Sequence, residues 1–340
     1  MLMKAVVLPQ LGGPEHLQMT TVATPVPGPG QVRVKLQASA LNRRDVWVTL
    51  GKYPNIRLPC ILGSDGAGVV EQVGPEVDPS LLGQEVVIYP AWDWGDDPRF
   101  PNPTFRVLGM PDQGTFAEFI CVPRAHVFPK PAFLSWEQAA AAPLAGLTSW
   151  RAVVTQAAVC AGETVLVTGI GGGVATFALQ WAIKLGARVF VTSGSPEKLE
   201  RAGALGAAGG VNYRESDWGK QLAALSGGID VVIDGTGGPV FQGYFSLMKP
   251  AGRIVIYGAT AGNPPEGLEM ARLFFRQMQI RGSTMGSPAE FAAMLQFLTE
   301  HRIEPVVDRV FPLAEAVAAL QHLQAAKQMG KVVLRQTGDQ

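Results

Sequence analysis

At 340 residues the chain has room for two domains of about 150 residues each, and with 47% hydrophobic and 16% charged residues it can bury large cores. Its 28 Lys and Arg balance 28 Asp and Glu without a long block of either sign, which excludes the basic stripe of a nucleic-acid binder. The 40 Gly and 26 Pro stay below the ~25–30% share of low-complexity disorder, and three scattered cysteines (Cys60, Cys121, Cys160) suit a reducing cytoplasm better than a disulfide framework.

The first residues, MLMKAVVLPQLGG, hold too short an apolar run for a secretory signal. Up to residue 125 the chain reads as β-rich. Runs at Lys4–Leu8, Gln31–Leu36, Gly66–Gln72, Glu85–Tyr89 and Phe116–Val122 alternate with Pro and Gly clusters, and no helix is expected among them. A polar, aromatic, Pro-rich loop fills 90–114, a length usual for functional or mobile loops.

From about residue 135 strands and helices alternate. Strands are expected at Val165–Thr168, Arg188–Thr192, Val211–Tyr213, Asp230–Asp234 and Arg253–Tyr257. Helices fall between them at Val174–Leu185, from Ser195 to Leu205, near Asp217–Leu225 and at Val240–Met248. That spacing is the mark of βαβ units and a parallel, doubly wound α/β sheet. The uncharged stretch Thr164–Ile183 is long enough to cross a membrane, but its central glycines make it a strand, a turn and a helix. After Gly282 the alternation stops. The capping box Ser287-Pro288-Ala289-Glu290 opens a helix to about His301, a second helix covers Leu313–Ala326, and Lys331–Leu334 is a closing strand.

The strongest chemical signal is the turn between the first βαβ strand and its helix, Gly169, Ile170, Gly171, Gly172, Gly173 and Val174. Small residues there let a pyrophosphate approach backbone N–H groups and the positive helix end. A strict G-x-G-x-x-G fails, but Gly169-x-x-Gly172-x-x-Ala175 fits, and no Gly-Lys-Ser/Thr follows to make a Walker loop. The second strand ends in Ser193, Gly194 and Ser195, with no carboxylate for a ribose 2′-hydroxyl, and Lys198 and Arg201 follow on the next helix. NADP(H) is therefore favoured over NAD, with Lys198 facing the 2′-phosphate. Lys198 and Arg201 on an ordinary solvated face is the competing reading.

The chain resembles the medium-chain dehydrogenase/reductase superfamily over nearly its whole length. The markers are Ala40-Leu-Asn-Arg-Arg-Asp45, Gly51-Lys-Tyr-Pro54, Gly63-Ser-Asp-Gly-Ala-Gly68, Glu71-Gln-Val-Gly74, Gly114-Thr-Phe-Ala-Glu118, Ala139-Ala-Ala-Ala-Pro143 with Thr148-Ser-Trp150, the glycine turn, and Gly330-Lys-Val-Val-Leu334. The resemblance implies a GroES-like, β-rich catalytic domain over 1–127, completed by 283–340, and a Rossmann NADP-binding domain over 128–282. It implies a homodimer joined near Ile254–Gly258 and Gln279–Met285. Zinc-dependent alcohol dehydrogenases of this superfamily take their catalytic ligands from segments matching Asn42, Ser64, Asp65 and Leu144, and one carboxylate among these cannot hold a tetrahedral zinc. No metal is expected. The pattern is similar to the zinc-independent quinone oxidoreductase branch, which places Gly194, Lys198 and Tyr213 at the 2′-phosphate and Asn42 and Tyr53 near nicotinamide and substrate. The resemblance also places Gly258 and Lys331 at the cofactor. Thr49 stands where related sequences often have Arg.

Without a Lewis acid, hydride addition to a quinone, enone or enal is easier than to a saturated carbonyl, because charge delocalises into an enolate. Asn42 is expected to donate to or orient that oxygen, and Tyr53 to donate or act as an acid. The alternatives are that Asn42 caps a turn and Tyr53 packs its ring. Cys60 is expected to be a buried thiol rather than a reactive one. The expected protein is a cytoplasmic NADPH-dependent reductase without nucleic-acid or membrane partners. The alternatives are an alcohol dehydrogenase with noncanonical metal ligands such as Asp65, and a non-catalytic NADPH-binding protein.

Overall fold

Short β-branched runs broken by Pro and Gly leave no room for long helices, and the chain before residue 130 builds sheets. The computed structural model describes residues 1–265 and 267–336. The chain divides into two units, Met1–Ala145 with the segment from Gly286 onward, and Gly146–Met285. The expected first boundary at 127 falls earlier, because the helix Trp136–Ala141 packs on the Gln31–Ala40 and Asp65–Val73 strands of the first unit.

The main sheet of the first unit runs Val127–Pro129, Glu85–Ile88, Asp65–Val73, Gln31–Ala40, Lys331–Arg335, Val307–Pro312, and Phe119–Pro123 also pairs with Gln31–Ala40. A smaller sheet joins Gln18–Ala23, Leu2–Leu8 and Cys60–Ile61. One register detail positions everything that follows. Ala40 lies opposite Asp65 on one side and Val333 on the other, so the end of one strand meets the starts of two others.

Pairing slips between Leu36 and Ala38, and Gly68 lies opposite Leu36. A Cβ on Gly68 would stand 2.1 Å from the Lys35 carbonyl oxygen, which is backbone and cannot swing away. Gly68→Ala is therefore expected to cost about 2 kcal/mol as overpacking. Urea unfolding of the variant beside the parent checks this; an unchanged midpoint would show that the slip absorbs a methyl group.

One helix departs from the β-only expectation for the first 125 residues, and two more lie beyond it where no element was expected. Arg43–Thr49 is a helix whose first turn is held by the Asn42 backbone N–H donating to the Asp45 carboxylate at 2.7 Å. Trp136–Ala141 opens on a Ser135–Gln138 capping box, and Pro143–Trp150 continues into a π turn at Arg151–Gln156. The expected Leu313–Ala326 helix begins as a 3-10 turn at Leu313–Glu315 and becomes α-helical over Ala316–Gln324. The Ser287 capping box opens its helix, Pro288–Glu300. The 90–114 loop contains a two-stranded ribbon, Ala91–Trp92 with Arg106–Val107. Its Trp94 ring packs edge-on to Phe105 and its Trp92 ring edge-on to His126.

The second unit is the parallel sheet that strand–helix alternation dictates. Its strands lie side by side as Gly209–Asn212, Arg188–Ser193, Thr164–Val167, Ile229–Asp234, Met248–Ile256 and Gln279–Gly282, every neighbouring pair parallel. The order reverses between Thr164–Val167 and Ile229–Asp234, the switch point where open α/β sheets bind ligands at their carboxyl ends. The helix Gly173–Lys184 turns small residues (Ala175, Ala178, Ala182) and a Phe177–Trp181 stack inward. Among the described residues no helix is long and apolar enough to cross a membrane.

Candidate functional site

The strand register carries Asn42, Asp65 and Lys331 to one place in the first unit. The Lys331 ammonium, 3% exposed, donates to Asn42 Oδ1 at 2.6 Å and to Asp65 Oδ2 at 2.8 Å. Asp65, fully buried, also accepts from Asn42 Nδ2 at 2.9 Å and from the Leu144 backbone N–H at 2.7 Å. Both carboxylate oxygens are thus engaged. Burial of such an ion pair is costly unless each lone pair and proton finds a partner, and here the carboxylate's demand is met.

The donor side is not exhausted. An ammonium has three N–H groups and a primary amide two, so one on Lys331 and one on Asn42 make no hydrogen bond among the described residues. The network also fixes the amide's orientation: turned over, Asn42 would face its NH₂ to the ammonium and its carbonyl to the carboxylate. The cluster therefore keeps two N–H donors in reserve, one on Lys331 and one on Asn42.

Ser64 is occupied differently. Its hydroxyl donates to the Leu108 carbonyl at 2.7 Å and accepts from Arg44 at 2.8 Å, and the Arg44 guanidinium lies 4.7 Å from the centre of the Tyr53 ring. Tyr53 makes no hydrogen bond to the Asn42 cluster among the described residues. Thr49 is buried and donates to the Val46 carbonyl at 2.8 Å.

A zinc ion does not fit these residues. Asn42 and Asp65 are spent on an ammonium, Ser64 on a guanidinium and a carbonyl, and Leu144 has no donor side chain. Among the described residues no group of three or more His, Cys, Asp or Glu is placed to hold a metal. Beside the cluster, burial pushes the Asp45 carboxyl up to about 6 against the pull of Arg44 and Lys331. Burial likewise pushes the Cys60 thiol up to about 11, so it stays protonated.

In the second unit the glycine turn follows the Thr164–Val167 strand, and Gly172 caps the helix it opens. Gly171 has φ +133, open to glycine and strained for other residues, and a Cβ there would meet the Lys198 side chain 2.9 Å away. Gly194 follows the second strand, Arg188–Ser193, and Ser195 caps the next helix through the Lys198 N–H at 3.4 Å. Tyr213 follows the Gly209–Asn212 strand and Gly258 the Met248–Ile256 strand. Gly169, Gly171, Gly172, Gly173, Val174, Gly194, Ser195, Lys198, Tyr213 and Gly258 are thus brought to the carboxyl end of one parallel sheet. Lys331 belongs to the other unit and is engaged by Asp65 and Asn42.

Three contributions lay outside the sequence reading. Arg214 lies against Gly194. The buried Asp234 accepts from Thr168 Oγ1 at 2.6 Å, Thr236 Oγ1 at 2.7 Å and the Gly237 N–H at 3.1 Å, which ties two strand ends together at the switch point. The sequence alone offers Asp65 as a metal-ligand candidate, and its ion pair with the buried Lys331 appears only with the fold. The glycine cradle and the helix N-terminus fit a nicotinamide dinucleotide.

Residues 28–132 match the family model described as the alcohol dehydrogenase GroES-like domain, and residues 173–300 match that described as zinc-binding dehydrogenase. A zinc-type alcohol dehydrogenase-like protein, YogA, of Leptosphaeria maculans is 37% identical, with 94% of each chain covered. A quinone oxidoreductase of Pseudomonas aeruginosa is 31% identical over 95% of this chain and 96% of its own. The crystal structure of an NAD-dependent alcohol dehydrogenase superposes with a TM-score of 0.93 at 43% identity, covering 98% of this chain and all of that one. With both domains matched and such identity over nearly the whole length, the chain belongs to the medium-chain dehydrogenase/reductase superfamily of oxidoreductases.

Proposed function

We propose that this protein is a cytoplasmic, zinc-independent, NADPH-dependent reductase of quinones or α,β-unsaturated carbonyl compounds, acting as a homodimer. The observation that carries the reading is the Asp65–Lys331–Asn42 cluster, in which Asn42 and Asp65, from segments that match metal-ligand segments, are engaged by an ammonium instead. Bound NADPH would supply a hydride. Asn42 and Lys331 each keep one N–H for a substrate oxygen that gains negative charge, and Asp65 holds both donors in place. Fixed donors are enough for an enone or quinone, whose charge spreads over a conjugated system, and less suited to a saturated aldehyde. Tyr53, beneath Arg44, is the proposed proton donor.

The homodimer rests on family analogy and on the free edge of the Gln279–Gly282 strand, beside which Phe274 and Phe275 are 61% and 79% exposed. A mass measured in solution tests it.

A second reading, a metal-dependent alcohol dehydrogenase using NAD, is favoured by the 43% identity to a structure of that name. A non-catalytic NADPH-binding protein would bind cofactor without turnover. Chelator-treated protein offered NADPH with a small enone, a quinone or a saturated aldehyde separates the three. Turnover of enone or quinone alone supports the proposal. Aldehyde reduction restored by zinc, with stoichiometric metal in the purified protein, would establish the second reading.

A further inference from the structure

The strand that carries Lys331 runs beside an irregularity. In the parallel pair Val307–Pro312 and Lys331–Arg335, Val307 lies opposite Lys331 and Arg309 opposite Val332, so Asp308 is the extra residue of a bulge. A bulge bends its strand and re-aims the side chains around it. The Lys331 backbone N–H donates to the Val306 carbonyl at 2.8 Å. Gly330, at φ +100, passes so near that carbonyl that a Cβ would stand 2.2 Å from its oxygen. The turn into Lys331 is thus pressed against the bulged strand.

Asp308 ties that turn to a helix. Its Oδ1 accepts the Met329 N–H at 2.9 Å, and its Oδ2 meets His322 Nε2 at 2.8 Å. A carboxylate only accepts, so Nε2 carries the proton and His322 donates. The His322 and Asp308 side chains are mostly buried. His322 stands in the last turn of the helix Ala316–Gln324, and the Leu323 and Gln324 carbonyls of that turn accept from Arg43 Nη1 at 3.3 Å each. One helix turn therefore grips the chain just after Asn42 and, through Asp308, just before Lys331.

The Lys331 ammonium reaches Asn42 Oδ1 and Asp65 Oδ2 on a flexible stem, so its aim depends on where its backbone is held. A donor serves a developing charge only when held within about 0.5 Å of its productive place.

We infer that His322, acting through Asp308, is a positioning residue for Lys331: it holds the bulge that sets where the ammonium points, so that the N–H left over from Asn42 and Asp65 faces the substrate oxygen. The inference rests on the reading of Lys331 as a donor to that oxygen. It gives a role to a histidine that touches neither substrate nor cluster.

The test uses the full-length protein with NADPH and a small enone, and the variants His322→Leu, His322→Gln, Lys331→Met and the double variant His322→Leu with Lys331→Met. A misplacement well under 1 Å should lower kcat about 10-fold in His322→Leu and leave KM for NADPH within about twofold. His322→Gln, whose amide N–H reaches a similar place, should recover most of the rate. Once Lys331→Met has removed the group to be aimed, His322→Leu should lower kcat by less than about twofold further. A second readout needs no turnover. In protein carrying isotopically labelled lysine, the buried, hydrogen-bonded Lys331 ammonium is observed by nuclear magnetic resonance and identified by its loss in Lys331→Met. Its signal should shift in His322→Leu and return in His322→Gln. His322→Asn, polar but too short to reach Asp308, replaces His322→Leu should that variant not fold. If the variant loses stability while kcat and the ammonium signal stay, or if kcat falls equally with and without Lys331, His322 serves only the fold and the inference is overturned. If Lys331→Met keeps kcat, the donor reading falls and the inference with it.

Discussion

Replacing Asp65 with asparagine is expected to cost the fold about 4 kcal/mol, because it leaves the Lys331 ammonium buried without its counter-charge. The Leu144 N–H keeps an acceptor in the new amide, but that amide's NH₂ must then face either Lys331 or the Asn42 NH₂, both donors. Lys331→Met should cost a similar amount from the other side, as Asp65 keeps Leu144 and Asn42 and loses the ammonium. The double variant Asp65→Asn with Lys331→Met removes both charges and should be clearly more stable than the sum of the two predicts. Urea unfolding of all four proteins gives the coupling, and strict additivity would show that the 2.8 Å contact contributes nothing of its own. Activity separates the structural role from the proposed one. Lys331→Met should lower kcat about 100-fold, as loss of one oxyanion donor does. Arg at 331, which keeps the charge, should recover more stability than rate. A variant that loses stability and keeps kcat would confine Lys331 to the fold.

The two units differ in how much of them the sequence discloses, and the reason is the range over which each feature is encoded. In the second unit the information is local. Gly171, Gly186 and Gly206 all have positive φ and punctuate strand and helix ends, and Ser195 with Pro196 marks a helix start, so each boundary is written within a few residues of itself. Ser287 and Glu290 mark theirs in the same way, and Ser135 with Gln138 obeys that rule too, although its six-residue helix shows little periodicity. In the first unit the decisive facts are long-range. The Asn42–Asp65–Lys331 cluster joins three residues far apart in the chain, and what unites them is Ala40 lying opposite both Asp65 and Val333. No spacing in the sequence encodes that register. The helix Arg43–Thr49 was hidden because Trp47, Val46 and Val48 read as strand residues while its stability comes from the Asn42–Asp45 cap. Arg214 is concealed for a simpler reason: an arginine beside acidic residues on a turn reads as solvated surface, and only the approach to Gly194 gives it a direction.

Asp45 should make the protein more stable at mildly acidic pH than at neutral pH, opposite to the usual behaviour of a paired carboxylate. Its side chain is fully buried, and one oxygen, Oδ2, accepts the Asn42 N–H at 2.7 Å, while Oδ1 has no hydrogen-bond partner among the described residues. The nearest cationic nitrogen, on Arg44, is 3.8 Å away. Desolvation outweighs the pull of Arg44 and Lys331, and Asp65 adds repulsion, so the carboxyl rises from its ordinary 3.8 to about 6. A raised pKa means the native state binds the proton more tightly than the unfolded chain. The resulting stability is fully present below the unfolded value near 3.8 and is lost as pH climbs through 6, a change on the order of 3 kcal/mol for a shift of this size. Asp45→Asn keeps an acceptor for the Asn42 N–H and abolishes the titration. The difference in unfolding free energy between the parent and Asp45→Asn should therefore move in favour of the variant between pH 4 and pH 7, by roughly that amount. A difference that stays flat over the interval, or that moves toward the parent, would mean that Arg44 stabilises the charged form after all. In that case the cap at the start of Arg43–Thr49 is an ion pair, and its contribution should fall with added salt far less than an exposed pair's would.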